Sequence, residues 1–256
     1  MKIPTIDKLY FSPVKSLSFA NSENLIVRKN TGIKDDRIFA FTRLIEKNES
    51  TNYEKFPDKR NLNFFLTLKN SPFLNKYNFH FKQNELSLLL NNRLIKKISL
   101  NDKGSFEVIS KELMKRERLI TKIPYFIYNS EFPFFDTMPN NSVSLININS
   151  IKDFEKKINR RIEHERFRGN IYIKNVDPWI EYTWINKEIL IDACLFKVTG
   201  KIPRCSATNL IPDSDASNIN IPKKLKDIYG NSHMGLYLVP LNDGTIEIDN
   251  TIKILR

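Results

Sequence analysis

Short segments in which apolar and polar residues alternate recur along most of this chain, and they constrain its fold more than any other feature. Alternation with a period of two is typical of half-buried strands. It occurs at Thr5–Phe11, Asn24–Arg28, 37–44 and 62–68, and later in VSLINI, FRGNIYIK, EILIDACLFKV, MGLYLVPL and TIEIDNTIKIL. The turn residues Gln83-Asn84 and Asn242-Asp243-Gly244 favour hairpins between such segments. The sequence therefore predicts a mainly β protein whose sheets are antiparallel and closed or stacked.

Helical periodicity is confined to a few places. Apolar residues recur at helical spacing over 106–118, while 151–158 and 223–229 follow the helix-start residues Ser150 and Pro222. A chain of 256 residues with 41% apolar content can bury a full core, as one large domain or two smaller ones. We expect a boundary near residues 100–120, which divides the chain into 1–105 and 106–256.

Cysteine and histidine are scarce, and this excludes several kinds of site. The chain has two cysteines and three scattered histidines, too few for a disulfide framework, an iron–sulfur cluster, a four-cysteine zinc site or a His-rich metal site. No run of 18 or more apolar residues appears, and the first residues lack the basic-then-apolar design of a secretory signal. We therefore expect a cytoplasmic protein without a membrane span.

The net charge of +12 suggests an anionic partner. Nucleic acid, an acidic membrane surface and a phosphate-bearing small molecule all fit this charge. Lysine and arginine are spread along the chain, without a long basic tract, an aromatic-interleaved RNP-like pattern or a helix-turn-helix pattern. A solvated surface accounts for most of the charge, so nucleic-acid binding is the least favoured of these functions.

The stretch TGKIPRCSATN holds Cys205, whose neighbours differ from those of the other cysteine. Cys194 shares a strand face with Phe196 and is expected to be a small core residue. Cys205 follows a strand and has Arg204 beside it and Lys201 nearby, so positive charge favours its thiolate. A thiolate is both a nucleophile and a soft metal ligand. From these neighbours alone, a functional thiolate and a structural thiol remain equally open.

Several further segments carry side chains that suit an anion. Lys15 and Ser16 in SPVKS present an ammonium and a hydroxyl where a strand ends. Arg37 in GIKDDR either grips an anion with two hydrogen bonds or pairs with a neighbouring aspartate. Ser150 either caps the helix it opens or offers its hydroxyl and backbone N–H to a phosphate. The alternative for Lys15 is an exposed lysine in a turn.

The segment RFRGN adds two guanidinium groups. As part of a strand, it would place Arg166, Arg168 and Asn170 on one face. Two guanidiniums and an amide on one face can hold a charged polar ligand. The alternative is a solvated strand face.

The order of these motifs resembles that of the MOSC family, named for the C-terminal domain of molybdenum cofactor sulfurase, with its companion N-terminal domain. The motifs in chain order are SPVKS, GIKDDR, RFRGN, DPWIEYTW, PRC with TNLIPD, HMGLYLV and DGTIEIDNTIKIL. The resemblance spans nearly the whole chain. It implies a mainly β, barrel-rich α+β protein: an N-terminal β-barrel domain over 1–105 and a MOSC β-barrel domain over 106–256.

The resemblance also implies a bound molybdenum cofactor, molybdopterin. Cys205 would be the protein ligand to molybdenum and the catalytic residue. The positions that hold the pterin phosphate and ring edges fall on Lys15, Ser16, Arg37, Ser150, Arg168 and Asn170, with Arg204 beside the ligand. The implied reaction is reduction of N-hydroxylated small molecules such as amidoximes or hydroxylaminopurines, with electrons from a separate electron-donor protein.

Two other functions remain as alternatives. In the first, Cys205 is a sulfur carrier: it receives persulfide sulfur from a cysteine desulfurase that uses pyridoxal phosphate, and delivers it to a metal centre or cofactor. In the second, the protein is a basic nucleic-acid-binding module, whose affinity for DNA or RNA would fall steeply with salt.

Overall fold

The computed structural model describes residues 3–102, 104–118, 120–135 and 141–255. The strands are β1 (Thr5–Phe11), β2 (Ala20–Ser22), β3 (Asn24–Arg28), β4 (Gly32–Ile33), β5 (Phe39–Phe41), β6 (Tyr77–Lys82), β7 (Glu85–Leu90), β8 (Arg93–Ser99), β9 (Phe126–Tyr128), β10 (Val143–Asn147), β11 (Ile171–Lys174), β12 (Glu188–Ile191), β13 (Cys194–Pro203), β14 (His233–Pro240), β15 (Gly244–Glu247) and β16 (Ile252–Ile254). The α-helices are α1 (Lys47–Lys55), α2 (Gly104–Arg116), α3 (Ile148–Ile158) and α4 (Ile221–Tyr229). Short 3-10 helices occupy Pro57–Lys59, Leu62–Phe64, Pro72–Lys76, His164–Phe167, Ile180–Trp184 and Ser206–Asn209. The predicted class, mainly β with a few helices, is confirmed.

Most of the later strands belong to one sheet, in the order β16-β12-β13-β14-β10-β11-β1-β2. Its neighbours pair antiparallel except β10 and β11, which are parallel. The order also returns to its start, because Thr5 in β1 forms a bridge with Thr251, just before β16. The Ile252 N–H donates to the Pro4 carbonyl at 2.9 Å. Seven strands, from β16 to β1, therefore follow one another around a ring.

One buried cluster receives side chains from every strand of this ring. It includes Leu9, Leu145, Ile171, Ile189, Phe196, Leu236 and Ile252. Each fully buried aliphatic or aromatic side chain contributes about 1.5–3 kcal/mol relative to exposure, so this interior is the main source of the ring's stability. A second cluster lies under α3 and α4, on the outer face of β10, β11 and β14, and includes Ile146, Phe154, Tyr172 and Leu225.

A third cluster belongs mainly to the earlier part of the chain. The antiparallel strands β6, β7 and β8 pack there with α2, through residues that include Leu74, Tyr77, Leu88, Ile109 and Leu113. The division into domains 1–105 and 106–256 stays a prediction. Strand pairs that cross this boundary are β1 with β11, β3 with β15 and β5 with β9.

Many predicted elements agree with the structure. β1 and β3 have the predicted bounds, and helices α2, α3 and α4 occupy the predicted segments, each beginning slightly earlier. The hairpin of β6 and β7 turns at Gln83 and Asn84, which have φ values of 50° and 65°. Positive φ at both central residues is what a two-residue turn between twisted strands requires.

Other predictions were wrong, for identifiable physical reasons. Residues 62–68 do not form a strand, because Phe65 is buried in one hydrophobic cluster and Leu66 in another. The strand predicted at 37–44 is limited to β5. Helix α1 was not predicted, because it buries only Ser50 and Tyr53 and so has little helical periodicity. In the part of the chain that the structure describes, no helix is both long and apolar enough to span a membrane.

Candidate functional site

A cavity of about 300 Å³ lies beside the end of β13. Six of the eight residues predicted for the site line it: Ser16, Arg37, Arg168, Asn170, Arg204 and Cys205. It is completed by Thr67, Leu68, Lys69, Phe135, Ser142, Ser144, Arg166, Phe167, Ile202, Pro203, Ala207, Thr208 and Tyr237. Residues that are distant in sequence therefore meet in one place.

Cys205 lies in extended backbone between β13 and the 3-10 helix Ser206–Asn209. Its carbonyl accepts hydrogen bonds from the Thr208 N–H at 3.1 Å and from the Thr208 hydroxyl at 2.8 Å. Its side chain is half-buried. By contrast, Cys194 is fully buried, and burial raises the pKa of its thiol to about 11, as expected for an inert core cysteine. The backbone thus fixes Cys205 at the cavity while its thiol stays accessible.

The Arg204 guanidinium is held by backbone carbonyl groups. Its Nε donates to the Met234 carbonyl at 2.8 Å, and its Nη1 donates to the Phe167 carbonyl at 2.8 Å. Burial lowers the pKa of this guanidinium, while Cys205 and nearby tyrosines act in the opposite direction. The two carbonyl contacts therefore fix the guanidinium in the cavity that Cys205 also lines.

Gly235 makes room for this arrangement. A Cβ atom there would lie 2.5 Å from the Leu145 carbonyl oxygen and 3.2 Å from Arg204 Nη2. Its φ of 83° is also in the region that favours glycine. The glycine in HMGLYLV therefore allows β10, β14 and Arg204 to approach one another closely.

A buried carboxylate orients two of the cavity residues. Asp36 is 1% exposed, pairs with Arg37, and accepts hydrogen bonds from the Ser12 N–H at 2.8 Å and from Asn170 Nδ2 at 3.1 Å. The other end of the Asn170 amide accepts from the Ser144 hydroxyl at 2.8 Å. The side chain of Asn170 is therefore engaged at both ends, and its chemistry fits a positioning residue.

Phe19 lies between two arginines of the cavity. Its ring centroid is 4.9 Å from Cζ of Arg37 and 4.4 Å from Cζ of Arg168, as in cation–π contacts. The Arg168 Nη2 donates to the Leu17 carbonyl at 2.8 Å. Phe135 packs against Arg37, also at 4.9 Å. The two guanidiniums are thus held in fixed directions before any ligand binds.

Three cavity residues have an uncommon backbone conformation. Ser16, Arg37 and Arg168 have φ values of 70°, 55° and 50°. Left-handed backbone is unusual for residues other than glycine, and such residues tend to gather at functional sites. Here the left-handed backbone of these three residues directs their side chains from separate loops towards the same cavity.

The strand predicted for RFRGN was wrong. The 3-10 helix His164–Phe167 precedes a left-handed Arg168, and β11 begins only at Ile171. Phe167 is fully buried, and a Cβ at Gly169 would come within 2.7 Å of Ile146 Cδ1, so packing bends the chain here.

Arg166 lines the cavity, but its guanidinium donates hydrogen bonds to other residues of the protein. Its Nε donates to Glu163 at 2.6 Å, its Nη1 to the Asn209 carbonyl at 2.8 Å and its Nη2 to Asn218 at 3.0 Å. This arginine therefore ties the loop before β11 to the segment after Cys205.

Two predicted residues do not line the cavity. Lys15 is 4% exposed, and its ammonium donates to the Phe134 carbonyl at 3.1 Å. Ser150 lies inside α3, fully buried, and its hydroxyl donates to Glu181 at 2.8 Å. The expectation that Ser150 caps this helix was wrong, because the helix begins earlier and the Asn147 side chain caps it.

Glu181, the partner of Ser150, predicts a pH effect on stability. It is fully buried, and burial raises its carboxyl pKa, although hydrogen bonds from Asn147 and Ser150 act against the rise. Because the pKa of Glu181 is higher in the folded state, its protonation stabilises the fold at low pH. This stabilisation is lost as the pH rises above 4.5, the ordinary pKa of a glutamate. We expect Glu181→Gln to remove this loss, which amounts to about 1.4 kcal/mol for each tenfold rise in proton affinity on folding.

Urea unfolding at several pH values between 4 and 8 measures this effect. Glu23→Gln, at an exposed position, is the control and should leave the pH dependence unchanged. Parallel stability curves for Glu181→Gln and the unchanged protein would contradict the expected role of Glu181.

Two of the segments that line the cavity were missed by the sequence analysis. Ser142 and Ser144 lie at the start of β10, and Thr67 to Lys69 form a turn after the 3-10 helix Leu62–Phe64. The serines preceding an apolar strand were a weak signal that could have indicated them. Lys69 had no distinguishing signal among the 41 basic residues.

Comparisons with known proteins support the MOSC resemblance for the later part of the chain. The family model of the MOSC domain matches residues 135–253. The human mitochondrial amidoxime-reducing component 1 is 26% identical over 118 residues, which cover 41% of this chain and 34% of that protein. The chain thus spans about a third of the length of this curated relative.

Two solved structures were also matched. The YuaD protein from Bacillus subtilis has a TM-score of 0.44 and 10% identity, and the match covers 98% of this chain and 94% of that one. YiiM from Geobacillus stearothermophilus has a TM-score of 0.34 and 16% identity, with 44% and 54% covered. The later part of the chain, residues 135–253 with Cys205, is therefore similar to the MOSC domain.

Proposed function

We propose that this protein binds the pterin-based molybdenum cofactor in the cavity and uses it to reduce N-hydroxylated small molecules, such as amidoximes or hydroxylaminopurines. The observation that carries the proposal is the meeting of Cys205, Arg204, Arg168, Arg37 and Ser16 in one cavity. A half-buried thiol and several cations match a ligand that has both a soft metal and a phosphate.

The charge of the cavity supports an anionic ligand. Five cationic side chains line it: Arg37, Lys69, Arg166, Arg168 and Arg204. Among the described residues, no aspartate or glutamate lines it. Guanidinium groups offer paired N–H donors that match phosphate oxygens, and Arg37 and Arg168 are already oriented by Phe19. The volume is at the lower end of the usual range for small-molecule sites, about 300–1,000 Å³.

Cys205 is the residue that suits molybdenum. Thiolate sulfur is a soft metal ligand, and the Arg204 guanidinium lines the same cavity. Within the described ranges, no three His, Cys, Asp or Glu side chains are grouped as they would be around a metal held by protein alone. This fits a metal whose other ligands are the sulfur atoms of the cofactor.

When bound, the cofactor would supply a redox-active metal for the reduction of the substrate. Overall, the reaction consumes two electrons and two protons: the N–O bond of the substrate breaks, the hydroxyl takes one proton and leaves as water, and the nitrogen keeps an electron pair and takes the other proton. The electrons would come from a separate electron-donor protein. Arg37 and Arg168 would hold the phosphate, and Asn170 and Asp36 would keep Arg37 in place.

Metal and pterin analysis of the purified protein tests the proposal. Protein made in a host that synthesises the cofactor should contain stoichiometric molybdenum and pterin, and should reduce benzamidoxime with a chemical reductant. Absence of molybdenum would overturn the proposal. A mass increase of one sulfur atom on Cys205, without bound pterin, would instead support the sulfur carrier supplied by a cysteine desulfurase.

A further inference from the structure

The cations of the cavity differ in how firmly the protein holds them. Arg37 pairs with Asp36. The other three arginines, Arg166, Arg168 and Arg204, donate hydrogen bonds to the protein acceptors described above. Lys69 is exposed, and within the described part of the chain its ammonium has no hydrogen-bond or ion-pair partner. Lys69 is therefore the cation here that is available to an exchanging ligand.

The turn that carries Lys69 is well fixed. The Thr67 carbonyl accepts from the Asn70 N–H at 3.1 Å and from the Ser71 N–H at 2.7 Å. The Thr67 N–H donates to the Asn70 side chain at 2.9 Å. Leu68 is 6% exposed and packs into a hydrophobic cluster. The backbone of Lys69 is thus fixed at the edge of the cavity, while its long side chain stays free.

This turn comes from outside the MOSC domain. Cys205, Arg168, Asn170 and Arg204 lie within residues 135–253, whereas Lys69 lies well before them. Guanidiniums in fixed directions suit a ligand that stays bound. A flexible, strongly hydrated ammonium suits a ligand that enters and leaves.

We propose that Lys69 selects substrates: it favours N-hydroxylated molecules that carry a negatively charged group, such as a carboxylate or phosphate. This inference rests on the proposed function and adds the substrate class. A cation at the rim of a binding site raises the local concentration of anionic ligands and speeds their capture. The other cavity cations also exclude cationic substrates.

Competition between two substrates tests this role. We compare benzamidoxime with 4-carboxybenzamidoxime, using a viologen dye as the reductant so that docking of a donor protein plays no part. In the unchanged protein, kcat/KM should favour the carboxylate. Lys69→Ala should lower the carboxylate-to-neutral ratio about two- to five-fold, the size of an exposed ion pair. Lys69→Arg should retain the preference, and added salt should weaken it in the unchanged protein.

Lys82→Ala is the matched control, because Lys82 is also exposed but lies outside the cavity. It removes the same charge and should leave the ratio unchanged. If Lys69→Ala and the unchanged protein have the same carboxylate-to-neutral ratio, the role of Lys69 is overturned but the proposed function is not. Loss of molybdenum from Lys69→Ala would also overturn it, since Lys69 would then hold the cofactor. If the molybdenum-loaded protein reduces neither substrate, the proposed function itself fails.

Discussion

Under the proposed function, replacing Cys205 by serine is expected to remove most of the bound molybdenum and, with it, the reductase activity. A serine hydroxyl is a harder, weaker ligand than a thiolate and stays protonated. Changes to outer partners of a metal ligand already cost about 10–100-fold in affinity or activity, so loss of the ligand itself should cost at least as much. The fold should persist, because the local hydrogen bonds to Thr208 use the Cys205 carbonyl.

The other cysteine provides the matched control. Cys194 is fully buried inside the ring, and its thiol donates to the Thr245 carbonyl at 3.6 Å. Cys194→Ser should keep its molybdenum but lose about 1–3 kcal/mol of stability, because a hydroxyl is buried in an apolar cluster. Metal analysis and urea unfolding of both variants separate the two effects. Equal molybdenum in Cys205→Ser and the unchanged protein would rule out Cys205 as the ligand.

Replacing Asp36 by alanine should have the largest effect on stability, with a loss of about 3–5 kcal/mol. The change leaves the Arg37 charge without its carboxylate, and it leaves the Ser12 N–H and the Asn170 amide without an acceptor. Since Arg37 and Asn170 then lose their orientation, cofactor content should fall as well. Asp36→Asn keeps the shape and one acceptor oxygen, so its losses should be intermediate.

An exposed aspartate provides a control that shows whether burial of Asp36 causes the expected loss of stability. Asp243 pairs with Arg28 at 3.3 Å, with both side chains largely in solvent. Asp243→Ala should therefore change the free energy of unfolding by about 1 kcal/mol or less. Urea unfolding and molybdenum analysis of Asp36→Ala, Asp36→Asn and Asp243→Ala make the comparison. Similar losses for Asp36→Ala and Asp243→Ala would contradict a buried organising role for Asp36.

The residue types of the site could be predicted from the sequence better than its local geometry could. Arg37, Arg168 and Cys205 were selected for their chemistry and their motifs, and the structure brings them to one cavity. The prediction of a strand at RFRGN was wrong because charged and apolar residues also alternate in this 3-10 helix and the turn that follows it. Burial of Phe167 determines the backbone conformation there. Ser150 was misplaced because helix α3 begins at Ile148, before the expected start.

Contacts between distant segments could not be read from the sequence. Phe19 lies between Arg37 and Arg168, yet nothing in SLSFAN indicates two guanidinium partners. Lys69 reaches the cavity only because a turn after the 3-10 helix Leu62–Phe64 packs beside it. Such positions depend on how separate parts of the chain pack, and local periodicity carries no information about that packing.

The closure of the strand ring has a consequence for the timing of folding. β1 pairs on one side with β11. On the other side it pairs with β2 near its end and with Thr251 near its start, so contacts of very large sequence separation complete the ring. Such contacts form slowly, because the long intervening chain must lose conformational entropy before the contacts begin to stabilise the fold. Ser16 and Arg37 follow β1 and take their places in the cavity of Cys205 once β1 has docked. Under the proposed function, we therefore expect the cofactor to load only after β16 has been synthesised and has closed the ring.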